Sequence, residues 1–228
     1  MKILEDEIKD KAVEAMAVDK FFSDTTKYVD FAFYLLDNNI KSENIYILAG
    51  LENDLYEDKI HYFKKILEEL HIKIYENEKI DLLYAKSIAR QVLRDKIDPV
   101  TAVYSFEKLY TLTYDSKYLV FLEISDGIDL FEVGYELVPG MNKDNYKAYI
   151  KHAFELFLIF SDLKLPDDFY KQKYCKKCLK RVFPIKKIKR SGLFGKKYAI
   201  ELCPECGATE FYSTRHNQGK DLYLKEFR

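Results

Sequence analysis

Tyr174-Cys175-Lys176-Lys177-Cys178-Leu179-Lys180 and Leu202-Cys203-Pro204-Glu205-Cys206-Gly207 hold all four cysteines of the chain, as two Cys-x-x-Cys pairs with 24 residues between them. A two-residue spacer folds into a tight knuckle that turns both sulfurs toward one point, and two knuckles complete a tetrahedron. The pattern predicts a four-thiolate zinc site at Cys175, Cys178, Cys203 and Cys206. Gly207, just after the second pair, suits the backbone turn a knuckle requires. Four sulfurs close the coordination shell, so the zinc is expected to be structural, with no open position for water or substrate. Two disulfides would need an oxidising compartment, but Met1-Lys2-Ile3-Leu4-Glu5-Asp6-Glu7 contains no apolar signal run. A redox Cys-x-x-Cys is expected once, beside a βαβ pattern that this chain lacks.

Around the knuckles the hydropathy pattern has a period of two. Tyr198, Ile200 and Leu202 alternate with Lys197, Ala199 and Glu201 as a half-buried strand does, and Arg181–Arg190 alternates less cleanly. Ser191-Gly192-Leu193-Phe194-Gly195 supplies a turn between them. Thr209–Thr214 favours strand, and His216-Asn217-Gln218-Gly219 turns the chain into Leu222–Phe227. On Cys175, Cys178, Cys203, Cys206, Gly207 and these strands, the stretch from Tyr174 to Thr214 resembles the zinc-ribbon (rubredoxin-like) superfamily. The first knuckle lacks the glycine of the second. The resemblance implies a small antiparallel sheet around a metal. Zinc ribbons occur in transcription, translation and replication proteins as well as in structural roles, so it implies no single task.

Upstream, the apolar period is 3.6 and the fold class is mainly α: a helical bundle followed by the small antiparallel β ribbon. The first helix runs over Lys2–Phe22, with Ile3, Leu4, Ile8, Ala12, Ala15 and Met16 on one face, and Tyr28–Leu36 is apolar nearly all round. Ser42 caps a helix through Leu51, and Asp54 with Glu57 forms a capping box for a helix ending near His71. Asp81–Arg94 follows, and Asp98-Pro99 supplies N-cap and first-turn proline for a helix to about Leu112. Tyr118–Ile124 is read as helix from its neighbours, and Asn142 caps the last long helix, Lys143–Phe160. The segments 35–42 and 92–99 echo each other, each joining two helices through a polar turn that holds one isoleucine. Two domains are expected, an acidic helical one over 1–164 and a basic zinc ribbon over 165–228.

Charge separates these halves. Residues 165–228 carry 16 Lys and Arg against 7 Asp and Glu, and residues 1–164 carry 21 against 31. From Lys171 to Lys197 there are twelve basic residues and no acid. Such a stripe is the electrostatic footprint of a nucleic-acid contact, DNA or RNA. Lys186, Lys187, Lys189, Arg190, Phe194, Lys196 and Lys197 are the expected contacts, with Phe194 stacking on bases at a hairpin tip. Three plainer readings stand beside this one. The lysines of the first knuckle offset the net charge of a zinc tetrathiolate, the stripe docks on the acidic helical domain, or Phe194 packs onto that domain.

Other patterns carry less. Gly192-x-x-Gly195-Lys196-Lys197 lacks the four-residue spacing and the Ser/Thr of a phosphate loop. Arg215-His216-Asn217 suggests a His-Asn-His nuclease, yet no histidine lies between the knuckles, and a lone histidine in a turn is expected to be solvated. Glu123, Asp126, Asp129, Glu132 and Glu136 lack the ligand order of a calcium loop and are expected to form a solvated face. His61, His71 and His152 have no assigned role, and no nucleophile, base or small-molecule substrate site has a recognisable pattern. No run of about 18 apolar residues occurs, so no membrane partner is expected and a cytoplasmic location is. The expected function is a non-enzymatic zinc protein whose ribbon binds nucleic acid. The acidic domain would meet a protein partner, as a subunit or accessory of a larger DNA- or RNA-processing assembly. The other reading is a protein-protein adaptor or immunity-type protein with a purely structural ribbon.

Overall fold

A computed structural model describes residues 2–73, 77–190 and 195–226. The fold is mainly α, with a small antiparallel β region at the C-terminal end. The helices are α1 (Lys2–Phe22), α2 (Thr26–Asp37), α3 (Glu43–Gly50), α4 (Tyr56–Glu69), α5 (Asn77–Leu93), α6 (Pro99–Thr113), α7 (Leu119–Asp129), α8 (Tyr146–Ser161) and α9 (Asn217–Lys225). The strands are β1 (Lys173–Cys175), β2 (Arg181–Val182), β3 (Ile185–Arg190), β4 (Lys197–Leu202) and β5 (Phe211–Ser213). No helix among the described residues is long and apolar enough to cross a membrane. Secondary structure changes character after Ser161, whereas the compact units divide within α5, between Ile88 and Ala89.

The first unit, residues 1–88, packs around Tyr28, Phe31 and Phe63, whose rings meet at 4.5 and 5.5 Å. Of the stripe read on α1, Ile8, Ala12, Ala15 and Met16 are buried in this core and Leu4 packs against it half-buried, while the Ile3 side chain lies outside the described residues.

In the second unit, residues 89–228, Phe106 of α6 is the hub, with ring centroids 4.3 Å from Phe121 and 5.0 Å from both Phe154 and Phe157. The next turn of α8 faces the other way. Leu156 and Phe160 join Phe169, Tyr174 and Tyr223 in a second core that seats β1 and α9. The apolar half of α8 is thus covered on two sides, and Ile159 is left exposed.

Local chemistry explains the helix ends. The Ser42 hydroxyl accepts from the Ile45 amide, and Asp98 accepts from the Val100 and Thr101 amides ahead of Pro99. The echo between 35–42 and 92–99 is one turn used twice. After α2, Asn39 takes φ 59° and Ile40 N–H donates to the Leu35 carbonyl at 2.9 Å. After α5, Asp95 takes φ 57° and Lys96 N–H donates to the Gln91 carbonyl at 2.9 Å. These are Schellman closures, and Asn and Asp tolerate the left-handed region better than most residues do. In each case the N-cap of the next helix, Ser42 or Asp98, stands three residues further on.

Several boundaries differ from expectation. The N-cap of α4 is Leu55, without a side-chain bond, so Asp54 and Glu57 form no capping box. Asn142 does not cap α8: its side chain accepts from the Asp144 and Asn145 amides in the preceding turn, and α8 starts at Tyr146. The strand expected over Arg181–Arg190 is two strands, β2 and β3, with Phe183-Pro184 between them. Proline has no amide to give a ladder, so the break falls there. His216–Gly219, read as a turn, instead holds the start of a helix, because α9 begins at Asn217.

The strands form two separate sheets, β2-β1-β5 and β3-β4, all antiparallel. Helix α9 packs on β5 so closely that a Cβ at Gly219 would fall on the Ser213 carbonyl oxygen.

Candidate metal centre and basic hairpin

The four cysteines come together. Their Sγ atoms all lie within 4.8 Å of one another, and among the described residues this is the only such cluster of potential ligands. Cys175 and Cys206 are 3.5 Å apart and Cys178 and Cys203 3.8 Å, so all four are free thiols. Cys175 and Cys203 are buried, while Cys178 and Cys206 are partly open.

The two knuckles share one backbone design. Leu179 N–H donates to the Cys175 carbonyl at 2.9 Å, and Gly207 N–H donates to the Cys203 carbonyl at 2.9 Å. Returning bonds run from Cys175 N–H to the Lys180 carbonyl at 3.1 Å, and from Cys203 N–H to the Ala208 carbonyl at 2.8 Å. The Lys180 amide points at the Cys178 sulfur as the Ala208 amide points at Cys206. Both knuckles close with a left-handed residue, Leu179 at φ 57° and Gly207 at φ 71°. Sequence alone made the first knuckle look the weaker match, but leucine adopts there the conformation that glycine adopts in the second. Backbone donation, first from the Cys178 amide and then from Lys177, holds the Cys175 thiol below its usual range, while at Cys178 and Cys206 the Lys180 and Ala208 amides are outweighed by burial and the neighbouring sulfurs, which push these thiols up.

Carboxylates neutralise most of the cations around the knuckles. Lys180 pairs with Glu205 at 2.5 Å, Lys176 with Glu210 at 3.3 Å, and Lys173 with Glu201. Glu205 chiefly, and then the Cys178 and Cys203 sulfurs, hold the Lys180 ammonium above its usual range. Arg181 pairs with Glu226 at 3.4 Å and stacks on the Tyr223 ring at 4.8 Å, tying β2 to α9.

The β3-β4 hairpin is different. All six residues of β3 are exposed, as are Lys197, Tyr198 and Ala199 of β4. The half-buried strand expected at Tyr198, Ile200 and Leu202 is therefore covered only at its base, and Tyr198 stands open. Register pairs Lys187 with Ile200 and Lys189 with Tyr198, and on the alternate positions Ile188 with Ala199 and Arg190 with Lys197. Side chains alternate between faces along a strand. One face thus carries Lys187, Lys189 and Tyr198, and the other Lys186, Arg190 and Lys197, with Glu201, the partner of Lys173, opposite Lys186 at the hairpin's base. None of Lys186, Lys187, Lys189, Arg190, Lys196 and Lys197 has a carboxylate partner among the described residues. Phe194, with Gly192 and Leu193, lies outside the described residues.

Two features expected to be solvated are joined to each other. Glu123 of α7 accepts from Arg215 at 2.6 Å through one oxygen and lies 2.9 Å from His216 Nε2 through the other. Burial pushes the Glu123 carboxyl up, but His216 and Arg215 outweigh it and hold it below the usual carboxylate range. Arg215-His216 is thus an anchor between α7 and the start of α9, and among the described residues no cluster of potential metal ligands includes it. A sequence signal existed: Glu123 stands three residues after buried Val120 and four before buried Gly127, on the inward stripe of α7. An acid in that position needs a buried partner.

Neither family models, curated proteins nor solved structures give a match to this chain.

Proposed function

We propose that the four cysteines bind a structural zinc ion, and that the β3-β4 hairpin projecting from this centre binds nucleic acid. For zinc, a metal–sulfur distance of about 2.3 Å gives a tetrahedral edge of about 3.8 Å. The cross-knuckle separations of 3.5 and 3.8 Å fit that edge. Closed on all sides by sulfur, the ion would hold the two knuckles together and do no chemistry on a substrate.

The observation that carries the binding role is the division of the basic stripe. Beside the cysteines Lys173, Lys176, Lys180 and Arg181 are paired with acids and Lys177 is the exception, whereas the six cations of the hairpin and its approach are all exposed and none has a carboxylate partner among the described residues. Unpaired charge on a projecting element suits phosphate neutralisation. The acidic helical half, 1–164, would contact a protein partner in a larger DNA- or RNA-processing assembly. Purification of the intact chain from its native cells, with analysis of metal, nucleic acid and bound proteins, tests the whole reading. Zinc with nucleic acid whose affinity falls steeply with salt is the expected result. Absent or salt-insensitive association with both DNA and RNA would overturn the binding role.

A protein adaptor is the second reading, and one observation favours it. Leu179, Phe183 and Ile185, close in sequence around the end of the first knuckle, are all more than half exposed. A protein partner retained at high salt and lost on Phe183→Ser would support it.

A further inference from the structure

The hairpin's cations stand on both of its faces: Lys187 and Lys189 on one, Lys186, Arg190 and Lys197 on the other. A flat acidic surface or a single strand running along the hairpin would meet one face and leave the opposite cations in water. Two rows of phosphate with a gap between them would meet both. Resting on the nucleic-acid reading, we propose that the β3-β4 hairpin inserts into the major groove of duplex DNA, one face toward each phosphate backbone.

Dimensions agree with this choice. A two-stranded ribbon with side chains on both faces is about 10 Å thick, the spacing of packed sheets. The major groove of B-form DNA is about 12 Å wide and admits such a ribbon. A-form RNA offers a deep, narrow major groove that side chains do not enter, and a shallow minor groove that could touch only one face. Strands of six residues extend about 20 Å, enough to reach across the groove from a metal centre held outside it.

The test uses the full, metal-loaded chain and three probes: a mixed-sequence DNA duplex of about two helical turns, the RNA duplex of the same sequence, and the single DNA strand. Two variants neutralise one face each, Lys187→Gln with Lys189→Gln, and Lys186→Gln with Arg190→Gln and Lys197→Gln. Metal content and circular dichroism confirm that each is folded. DNA duplex is expected to bind best. Each variant should weaken that binding at least about tenfold and lower the salt slope, by about 2 for the first and about 3 for the second. Equal affinity for all three probes, or loss confined to one face, would overturn groove insertion while leaving nucleic-acid binding in place. No binding to any probe would overturn both.

Discussion

The two small sheets of the C-terminal half come from one continuous basic segment, yet they finish in opposite states. Sheet β2-β1-β5 is backed by a buried aromatic cluster, Phe160, Phe169, Tyr174 and Tyr223, and Lys173, Lys176 and Lys180 in and beside it are paired with acids. Sheet β3-β4 has an exposed outer half and unpaired cations. Only the first sheet has a buried aromatic core behind it. The second is held at its base, where Glu201 meets Lys173 and Cys203 follows Leu202 directly. A segment with so little burial depends on the four-cysteine cluster at its base, and that dependence orders the ways in which the contrast can be broken.

Metal removal should have the largest effect. Structural zinc contributes about 10–16 kcal/mol in isolated small modules, more than the compact core around Cys175, Val182 and Cys203 supplies by burial. Stripping the metal with a chelator, or combining Cys175→Ser with Cys203→Ser, should abolish amide-exchange protection across β1–β5. Protection in α1–α4, which belong to the other compact unit, should persist. Residual protection at Tyr174 and Tyr212 after stripping would show that the first sheet stands without the ion.

Gly219→Ala comes next and attacks the backing of the first sheet alone. The added methyl would collide with the Ser213 carbonyl, which is backbone and cannot step aside. Separation of α9 from β5 should cost about 3 kcal/mol or more. Gly207→Ala is the internal control: it meets open space and strains only a left-handed φ of 71°, so about 1 kcal/mol is expected. Thermal melts of the metal-loaded variants rank the two, and equal losses would refute the close approach.

Lys220 sharpens the contrast from the side of charge. On the hairpin lysines are free in water, but Lys220 of α9 is buried with its ammonium 5.7 Å from the centre of the Phe160 ring. Burial pushes it down to about 8, from an unfolded value of 10.5. A lysine whose folded pKa is depressed destabilises the fold while charged. The penalty is fully present below pH 8 and fades as pH rises from there toward 10.5. Lys220→Met should therefore raise stability at neutral pH, by up to about 3 kcal/mol. The gain should shrink in urea melts repeated at rising pH. A gain that does not change with pH would mean that packing, and not the buried charge, accounts for it.

How far sequence carried the structure follows the same division. Helix caps at Ser42 and Asp98, the buried stripe of α1 and the meeting of the four sulfurs were legible, because each depends on residues close in sequence or on a spacing with one geometric solution. The shared turn of 35–42 and 92–99 was visible only as an echo, since nothing in its composition announces that Asn39 and Asp95 take the left-handed conformation. Helix α9 was missed for a tertiary reason. Its length, Asn217–Lys225, is marginal for an isolated helix, and it stands because Tyr223 packs on Phe160 and Phe169. Of the Glu123 anchor only the inward position of the acid on α7 was legible, because its partners stand 92 and 93 residues away in sequence. Exposure of the hairpin was hidden by its alternation, which predicts two faces but not whether either is covered.

Leu179→Gly gives the smallest effect and the finest comparison, between the knuckles themselves. Leu179 holds φ 57° where Gly207 holds 71°, with matching hydrogen bonds, so leucine bears a left-handed strain of about 1–2 kcal/mol that glycine avoids. Glycine's greater freedom in the unfolded chain returns about 0.4–1 kcal/mol of that gain. The variant should thus be slightly more stable, by about 0–1.6 kcal/mol, and should hold its metal at least as well in competition with a chelator. With its side chain more than half exposed, Leu179 loses little burial on removal. A sequence that keeps a strained, exposed leucine at this position needs another use for it. If the variant gains stability but releases a protein that co-purifies with the intact chain, the Leu179 side chain is a contact, and the first knuckle is a docking point beside the basic hairpin. If stability falls instead, the side chain is packing within the knuckle, and the equivalence of the two left-handed positions does not hold.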